Sequence, residues 1–383
     1  MKLIQNKMTT KQTGALSGIA APLIALGFAM SGSVTPVLAK IPVTPVTINT
    51  ANWSAIAGFG STALGWYKTS DSVIPNVIHL QGAVTQTSAA GPNANLIGTL
   101  PPAASPSRDV YAVLHTFNGT YADVGIQPNG QIWLIDPRAP AVKDYSFVSL
   151  ESITYQQALA TSDPINLTPF WSPNAGFGSA GPGWLEDGSF DVHLHGAVAQ
   201  TSSSASNTLG STVGGGGPEN RVVYTIVHTF NGTYADVGIS PSGQIGLIDP
   251  RAPMVKDYSF VSLECITYGN NLFNTIKPNS TNWSFTPGFG ASEPGWYKDA
   301  EGIVHLLGAA KQVNASGSTP NLIGTLPSAA RPKRTIYTIV HTFNGTYADL
   351  AITPLGQIEL INPREPAVTD FSFVSLESIT YQQ

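Results

Sequence analysis

The stretch His115 to Tyr155, HTFNGTYADVGIQPNGQIWLIDPRAPAVKDYSFVSLESITY, returns at His228 to Tyr268 and again at His341 to Tyr381. The copies align without a gap and differ from the first at five and nine of 41 positions, so the chain is built from three versions of one module. Each copy reads as short strands. Val110 to Phe117 and Thr120 to Ile126 are β-rich and flank Asn118-Gly119, the dipeptide favoured in tight hairpin turns because both residues tolerate positive φ. Pro128-Asn129-Gly130 predicts a second turn into Gln131 to Ile135, Asp136 to Pro140 forbids regular structure, and Tyr145 to Tyr155 reads as a closing strand.

Working outward, the 113-residue repeat spacing is the size of one domain. The expected organisation is a leader over 1–39 and modules over 40–157, 158–270 and 271–383, with linkers over 156–168 and 269–280. The front half of each copy holds Gly58-Phe59-Gly60 and Gly65-Trp66-Tyr67, then a hairpin strand such as Val77 to Leu80, then a low-complexity stretch. Charged residues are 11% of the chain, and 38 Gly and 29 Pro are scattered along it, which suits many short strands and tight turns. The expected fold is all-β: three tandem antiparallel β-sandwiches, jelly-roll-like, with roughly eight strands each.

Residues 1–39 carry Lys2, Lys7 and Lys11, an apolar run from Ala15 to Met30, and small residues ending at Ala39. This is the layout of a cleavable signal peptide, and the run is short for a membrane span. The protein is therefore expected outside the cell or on its surface. Net charge is −5, and losing the leader removes three lysines and no acid. So acidic a chain has no basic stripe for a phosphate backbone, which argues against nucleic acid as a partner. Cys265 is the only cysteine and stands where Ser152 and Ser378 stand in the other copies, so there is no internal disulfide and each module must be held by apolar burial.

The placement of His115 depends on hairpin register. A two-residue Asn118-Gly119 turn, the one the dipeptide favours, puts His115 on the core face. A three-residue turn slips the pairing by one and puts His115 beside Tyr121 and Asp123 on the outer face. Asp123, Asp236 and Asp349 face outward in both registers.

No catalytic signature is present. Ser149, His115 and Asp123 have the residue types of a triad, but no strand-turn-helix elbow presents the serine. A glycan-cleaving enzyme would need two carboxylates roughly 5 to 10 Å apart in a cleft, and no such pair is indicated. His193 and His195 share a strand face but lack a third ligand, and copies one and three have Gln81 and Leu307 in place of His195, so no metal or other cofactor is expected. Glu151, Glu264 and Glu377 are expected to pair with Arg138, Arg251 and Arg364, tying a loop to the last strand. The Asn-Gly-Thr sequons at Asn118, Asn231 and Asn344 are explained by the turn.

Adjacent aromatics on a strand point to opposite faces, so one of each pair is expected to be exposed, and exposed rings can stack on sugars. The candidate ligand contacts are Tyr67 and Tyr297, expected at the surface, with Trp133, which is Gly246 and Glu359 in the other copies. Trp66, Trp184 and Trp296, for which a place in the core is the first expectation, complete the set with Tyr121, Tyr234, Tyr347, Asp123, Asp236 and Asp349.

Copy three runs Trp296-Tyr297-Lys298-Asp299, Gly302-Ile303-Val304-His305-Leu306-Leu307-Gly308, Ile323-Gly324-Thr325-Leu326-Pro327, Arg331-Pro332 and Phe371 to Tyr381. This order resembles the β-sandwich head module at the C-termini of phage tail and receptor-binding proteins and of related bacterial surface proteins. There a leucine-proline run precedes Tyr-Arg-Pro and the module closes on Ser-Leu-Asp-Gly-Ile-Ser-Phe or similar. Here Ala330 replaces the Tyr, Glu377-Ser378 replaces Asp-Gly, and copies one and two lack the Arg-Pro. The resemblance implies modules that trimerise and bind a cell-surface glycan. The expected function is a non-enzymatic adhesin or lectin-like protein recognising extracellular or cell-surface polysaccharide. The alternative is a sheath, filament or surface-layer protein whose repeats self-associate. Three modules in one chain could also copy a homotrimer.

Overall fold

In the computed structural model the described residues are 41–56, 58–69, 76–116, 120–135, 145–159, 162–202, 207–229, 233–248, 258–270, 273–285, 288–342, 346–361 and 371–383, to which all counts and absences refer. The leader, Arg138, Arg251, Arg364 and the sequon turns lie outside them. The protein is all-β, and every pairing between named strands is antiparallel. No helix is long and apolar enough to cross a membrane.

The first repeat has two sheets. A four-stranded sheet runs Thr44–Pro45, Gly65–Thr69, Val77–Gln81, Thr154–Gln156. An eight-stranded sheet runs Thr47–Ile48, Leu96–Thr99, Gln131–Ile135, Thr120–Ile126, Val110–Thr116, Val148–Ser149, Ala83–Gln86, Trp53–Ile56. The third repeat reproduces this order. In the second, one strand, Asp163–Leu167, pairs first with Gly183–Glu186 and then with Thr208–Thr212, which joins the two sheets into one. Each repeat encloses its own apolar core, built around residues such as Trp53, Ile78, Val124 and Ile132 in the first. Burial of this size is what holds a module with no disulfide.

Two expectations need correcting. The segments assigned as linkers contain strands: Asp163–Leu167, which joins the two sheets of the second repeat, and Asn274–Thr275 and Lys277–Pro278, which pair with Gly295–Lys298 and Leu322–Thr325 at the edges of the third repeat's two sheets. The closing strand is two strands: Val148–Ser149 joins the large sheet and Thr154–Gln156 the small one. Between them Ser152 takes φ 67°, with Cys265 and Ser378 at 63° and 61° in the other repeats. A left-handed residue there lets the chain change sheets and turns the preceding glutamate inward.

The hairpin adopts the slipped register. Thr116 faces Thr120, His115 faces Tyr121 and Val113 faces Asp123, with 117–119 between the strands. Leu114 then faces Ala122, Ala112 faces Val124 and Val110 faces Ile126, all buried in the core. This register keeps the small and branched residues inside. It also sends Tyr111 and His115 to the opposite face, beside Tyr121 and Asp123, where another repeat covers them.

Candidate functional site

The outward faces of the three hairpins meet one another. His228 Nδ1 lies 2.8 Å from Asp123 Oδ1, His341 Nδ1 lies 2.7 Å from Asp236 Oδ1, and His115 Nδ1 lies 2.7 Å from Asp349 Oδ1. The rings of Tyr121, Tyr234 and Tyr347 form a triangle with centroids 4.9, 5.1 and 5.2 Å apart and edges turned to faces, the arrangement aromatic quadrupoles favour. Contacts therefore run from repeat one to two, two to three and three to one, and the chain closes on itself as a threefold ring.

Charge clamps follow the same direction. Arg108 holds both oxygens of Glu264 at 2.6 and 2.7 Å, and Arg334 holds both oxygens of Glu151 at 2.8 Å. Arg221 reaches one oxygen of Glu377 at 3.0 Å and donates to Gly269 O at 2.6 Å. The glutamates also accept from Gly82, Gly196 and Gly308 N, each at 2.8 Å. All six side chains are buried, where such pairs need every partner they have. The expected arginine partners are thus corrected: Glu151 meets Arg334 of the third repeat. The signal was present in the 113-residue spacing of Arg108, Arg221 and Arg334.

Where the repeats meet lies a cavity of about 60 Å³ lined by Glu151, Ser152, Glu264, Cys265, Glu377 and Ser378 together with the hairpin strands. Ser152 Oγ, Ser378 Oγ and Glu377 Oε2 are buried there without a protein partner, a polar void of the kind that ordered water fills. Burial first, then the charge of Glu264, pushes the Cys265 thiol up to about 12. A second cavity, of about 20 Å³, is lined by His79, His193 and His305 with Thr154, Thr267 and Thr380. Burial lowers His79 to about 3, helped by the charges of His305 and His193, whereas at His305 burial is outweighed by Asp191 and Asp299, which raise it to about 9.

At the outer rim each interface carries a Gly-Phe-Gly loop in which the phenylalanine has positive φ: 56° at Phe59, 56° at Phe177 and 62° at Phe289. A bulky residue there is strained, and such strain persists only where neighbours over-determine it. They do. Tyr337, Tyr111 and Tyr224 of the adjacent repeats donate their hydroxyls to the carbonyls of Phe59, Phe177 and Phe289 at 2.6, 2.5 and 2.6 Å. Backbone N–H groups of Thr335, Asp109 and Val222 donate to Gly60, Gly178 and Gly290 O. The phenyl rings lie edge-on to Phe147, Phe260 and Phe373 at 5.6 to 5.8 Å, yet remain 56 to 57% exposed.

The aromatics singled out in sequence do not form a cleft. Tyr67 and Tyr297, expected at the surface, are 2 and 4% exposed, because the next repeat covers the strand's second face. They stack on His79 and His305, each at 4.7 Å. Trp66, Trp184 and Trp296 belong to the cores, and Asp123, Asp236 and Asp349 are buried in the ion pairs above. None of these side chains is open to a sugar face. Tyr121, Tyr234 and Tyr347 are half-buried against one another. Trp133 is half-buried, with its Nε1 donating to Gln131 Oε1 at 3.2 Å. No triad assembles, since Ser149 Oγ donates to Tyr337 O and His115 pairs with Asp349. His193 and His195 do not share a site: His193 pairs with Asp187 at 3.0 Å, while burial first, and then the charge of Arg108, lowers His195 to about 4. Phe59, Phe177 and Phe289 were legible as a repeated aromatic between glycines, outside any strand alternation.

Comparison with known proteins finds no family model, no curated protein and no solved structure that matches the chain.

Proposed function

We propose that the chain is an exported, non-enzymatic binding protein that displays three similar modules to a repetitive ligand, with extracellular or cell-surface polysaccharide as the ligand class. Ring closure is the observation that carries this reading. The Arg–Glu, His–Asp and Tyr–carbonyl contacts run from each repeat to the next and from the third back to the first. A head-to-tail contact that closes uses up every copy of itself, whereas one that stays open grows a filament. The faces by which one repeat binds another are thus filled within one chain, which argues against a sheath or layer built through them.

What remains outside comes in threes. In this reading Phe59, Phe177 and Phe289 supply apolar stacking surfaces in place of the buried Tyr67 and Tyr297. Three weak sites joined in one body can gain roughly 10²- to 10⁴-fold in avidity on a repetitive ligand. The signal-peptide-like leader supports export. The resemblance to phage tail and surface-protein head modules, which trimerise and bind glycans, supports adhesion.

Light scattering followed by a glycan array tests the reading. The expected result is one chain per particle and binding to a defined sugar, weakened at least tenfold when Phe59, Phe177 and Phe289 are all replaced by Ser. Large assemblies with no sugar bound would overturn it in favour of the structural alternative.

A further inference from the structure

We propose that Asp191, Asp299 and His305 form one divalent-metal site, of the kind zinc occupies, at the contact between the second and third repeats. His305 Nε2 lies 3.0 Å from Asp299 Oδ2 and 3.4 Å from Asp191 Oδ2, and the three donor atoms all lie within 4.8 Å of one another. Nitrogen and oxygen ligands about 2.0 to 2.2 Å from a tetrahedral zinc stand roughly 3.3 Å apart. The two separations from His305 bracket that value.

The surroundings orient the donors. Asp299 Oδ1 accepts from Ile303 N at 2.7 Å, and Asp191 Oδ1 accepts from the Tyr297 hydroxyl, so each carboxylate uses one oxygen on the fold and turns the other to His305. Tyr297 also stacks on the His305 ring, 9° from parallel. Outer partners of this kind hold metal ligands in place. The adjoining cavity of about 20 Å³, lined by Asp299, His305 and His193, has room for a water as a further ligand.

A second observation points to a missing ligand. Asp191 is 1% exposed, and its Oδ2 accepts no hydrogen bond. A single Nε2–H can be aimed at one carboxylate, and Asp299 is nearer, so a buried carboxylate oxygen is left without a donor. A divalent cation placed between the three donor atoms would take the imidazole nitrogen and one oxygen of each carboxylate as ligands and so supply the absent partner.

The other two contacts serve as internal controls. Between repeats one and two the equivalent residues are Val77, Asp187 and His193. There Val77 packs on Leu185, and Asp187 with His193 forms a closed pair at 3.0 Å. Between repeats three and one they are Ile303, Thr69 and His79, and Thr69 Oγ1 meets His79 Nε2 at 3.0 Å. The same backbone thus closes with no carboxylate, with one and with two. The fold does not need Asp191, and among the described residues the full ligand set occurs at one contact.

The test uses the full chain, freed of metal with a chelator and titrated with zinc by calorimetry, with metal content and melting temperature measured alongside. One zinc per chain and a higher melting temperature are expected. D191V and D299T, which install the first repeat's residues, should each weaken zinc at least tenfold, while D187T keeps one zinc per chain. Y297F retains the stacked ring and removes the hydroxyl, and should weaken zinc about 10- to 100-fold. No zinc uptake by the wild type, or equal uptake by D191V and Y297F, overturns the proposal.

Discussion

Arg334 Nε and Nη2 each lie 2.8 Å from an oxygen of Glu151, a residue 183 positions earlier in the chain. This pair closes the ring, since it joins the last repeat to the first. Both partners are buried, and Glu151 also accepts from Gly82 N. Replacing Glu151 by Ala strands a buried guanidinium, which costs about 3 to 5 kcal/mol. The loss should appear in urea denaturation as an earlier midpoint. An intact midpoint in E151A would mean that the clamp contributes nothing to closure.

The Tyr337 hydroxyl fastens the carbonyl of Phe59 while the phenylalanine sits at φ 56°. Glycine adopts that conformation without the Cβ clash that an L side chain meets, a difference of about 1 to 2 kcal/mol. F59A and F59G both lose the ring, so comparing them isolates the backbone term. F59G should be the more stable by about 1 kcal/mol in thermal or urea unfolding. Equal stability of the two would show that the loop relaxes out of the left-handed region.

The strands, the three cores and the all-β class were readable from the repeat, because alternation and turn residues act locally. What lay beyond reach was the surface one repeat offers another. Asn118-Gly119 favours a two-residue turn, but the pairing is slipped, and His115 joins Asp123 on the face that neighbouring repeats cover. Local preference loses to three interfaces closing together. Tyr67 looked exposed for the same reason: alternation tells which face a side chain takes, not what covers it. Glu151 was expected to find a nearby arginine, and the one it meets is distant in sequence.

His195 is buried where the first and third repeats have Gln81 and Leu307. Burial first, then the charge of Arg108, lowers its pKa to about 4, against about 6.5 for an unfolded histidine. Between those values the unfolded chain binds a proton that the native chain refuses. Its contribution is therefore complete above pH 6.5 and is lost as pH falls towards 4, by up to roughly 3 kcal/mol. H195L, which copies the third repeat, should flatten the fall in urea stability between pH 7 and 4.5 relative to the wild type. Parallel pH profiles would rule out a neutral buried His195.

Cys265 stands at φ 63° in the place of Ser152 and Ser378 and faces the cavity between repeats. A thiol titrating near 12 is thiolate to the extent of roughly one part in 10⁴ at pH 8. The thiolate is the nucleophile, so native protein should react with iodoacetamide at least 100-fold more slowly than protein unfolded in urea. C265S keeps the small polar side chain that the other repeats carry there, and its urea midpoint should match the wild type within about 1 kcal/mol of stability. Cys265 is half-buried, so rapid labelling of native protein would mean that the thiol is not held in its neutral form by its surroundings.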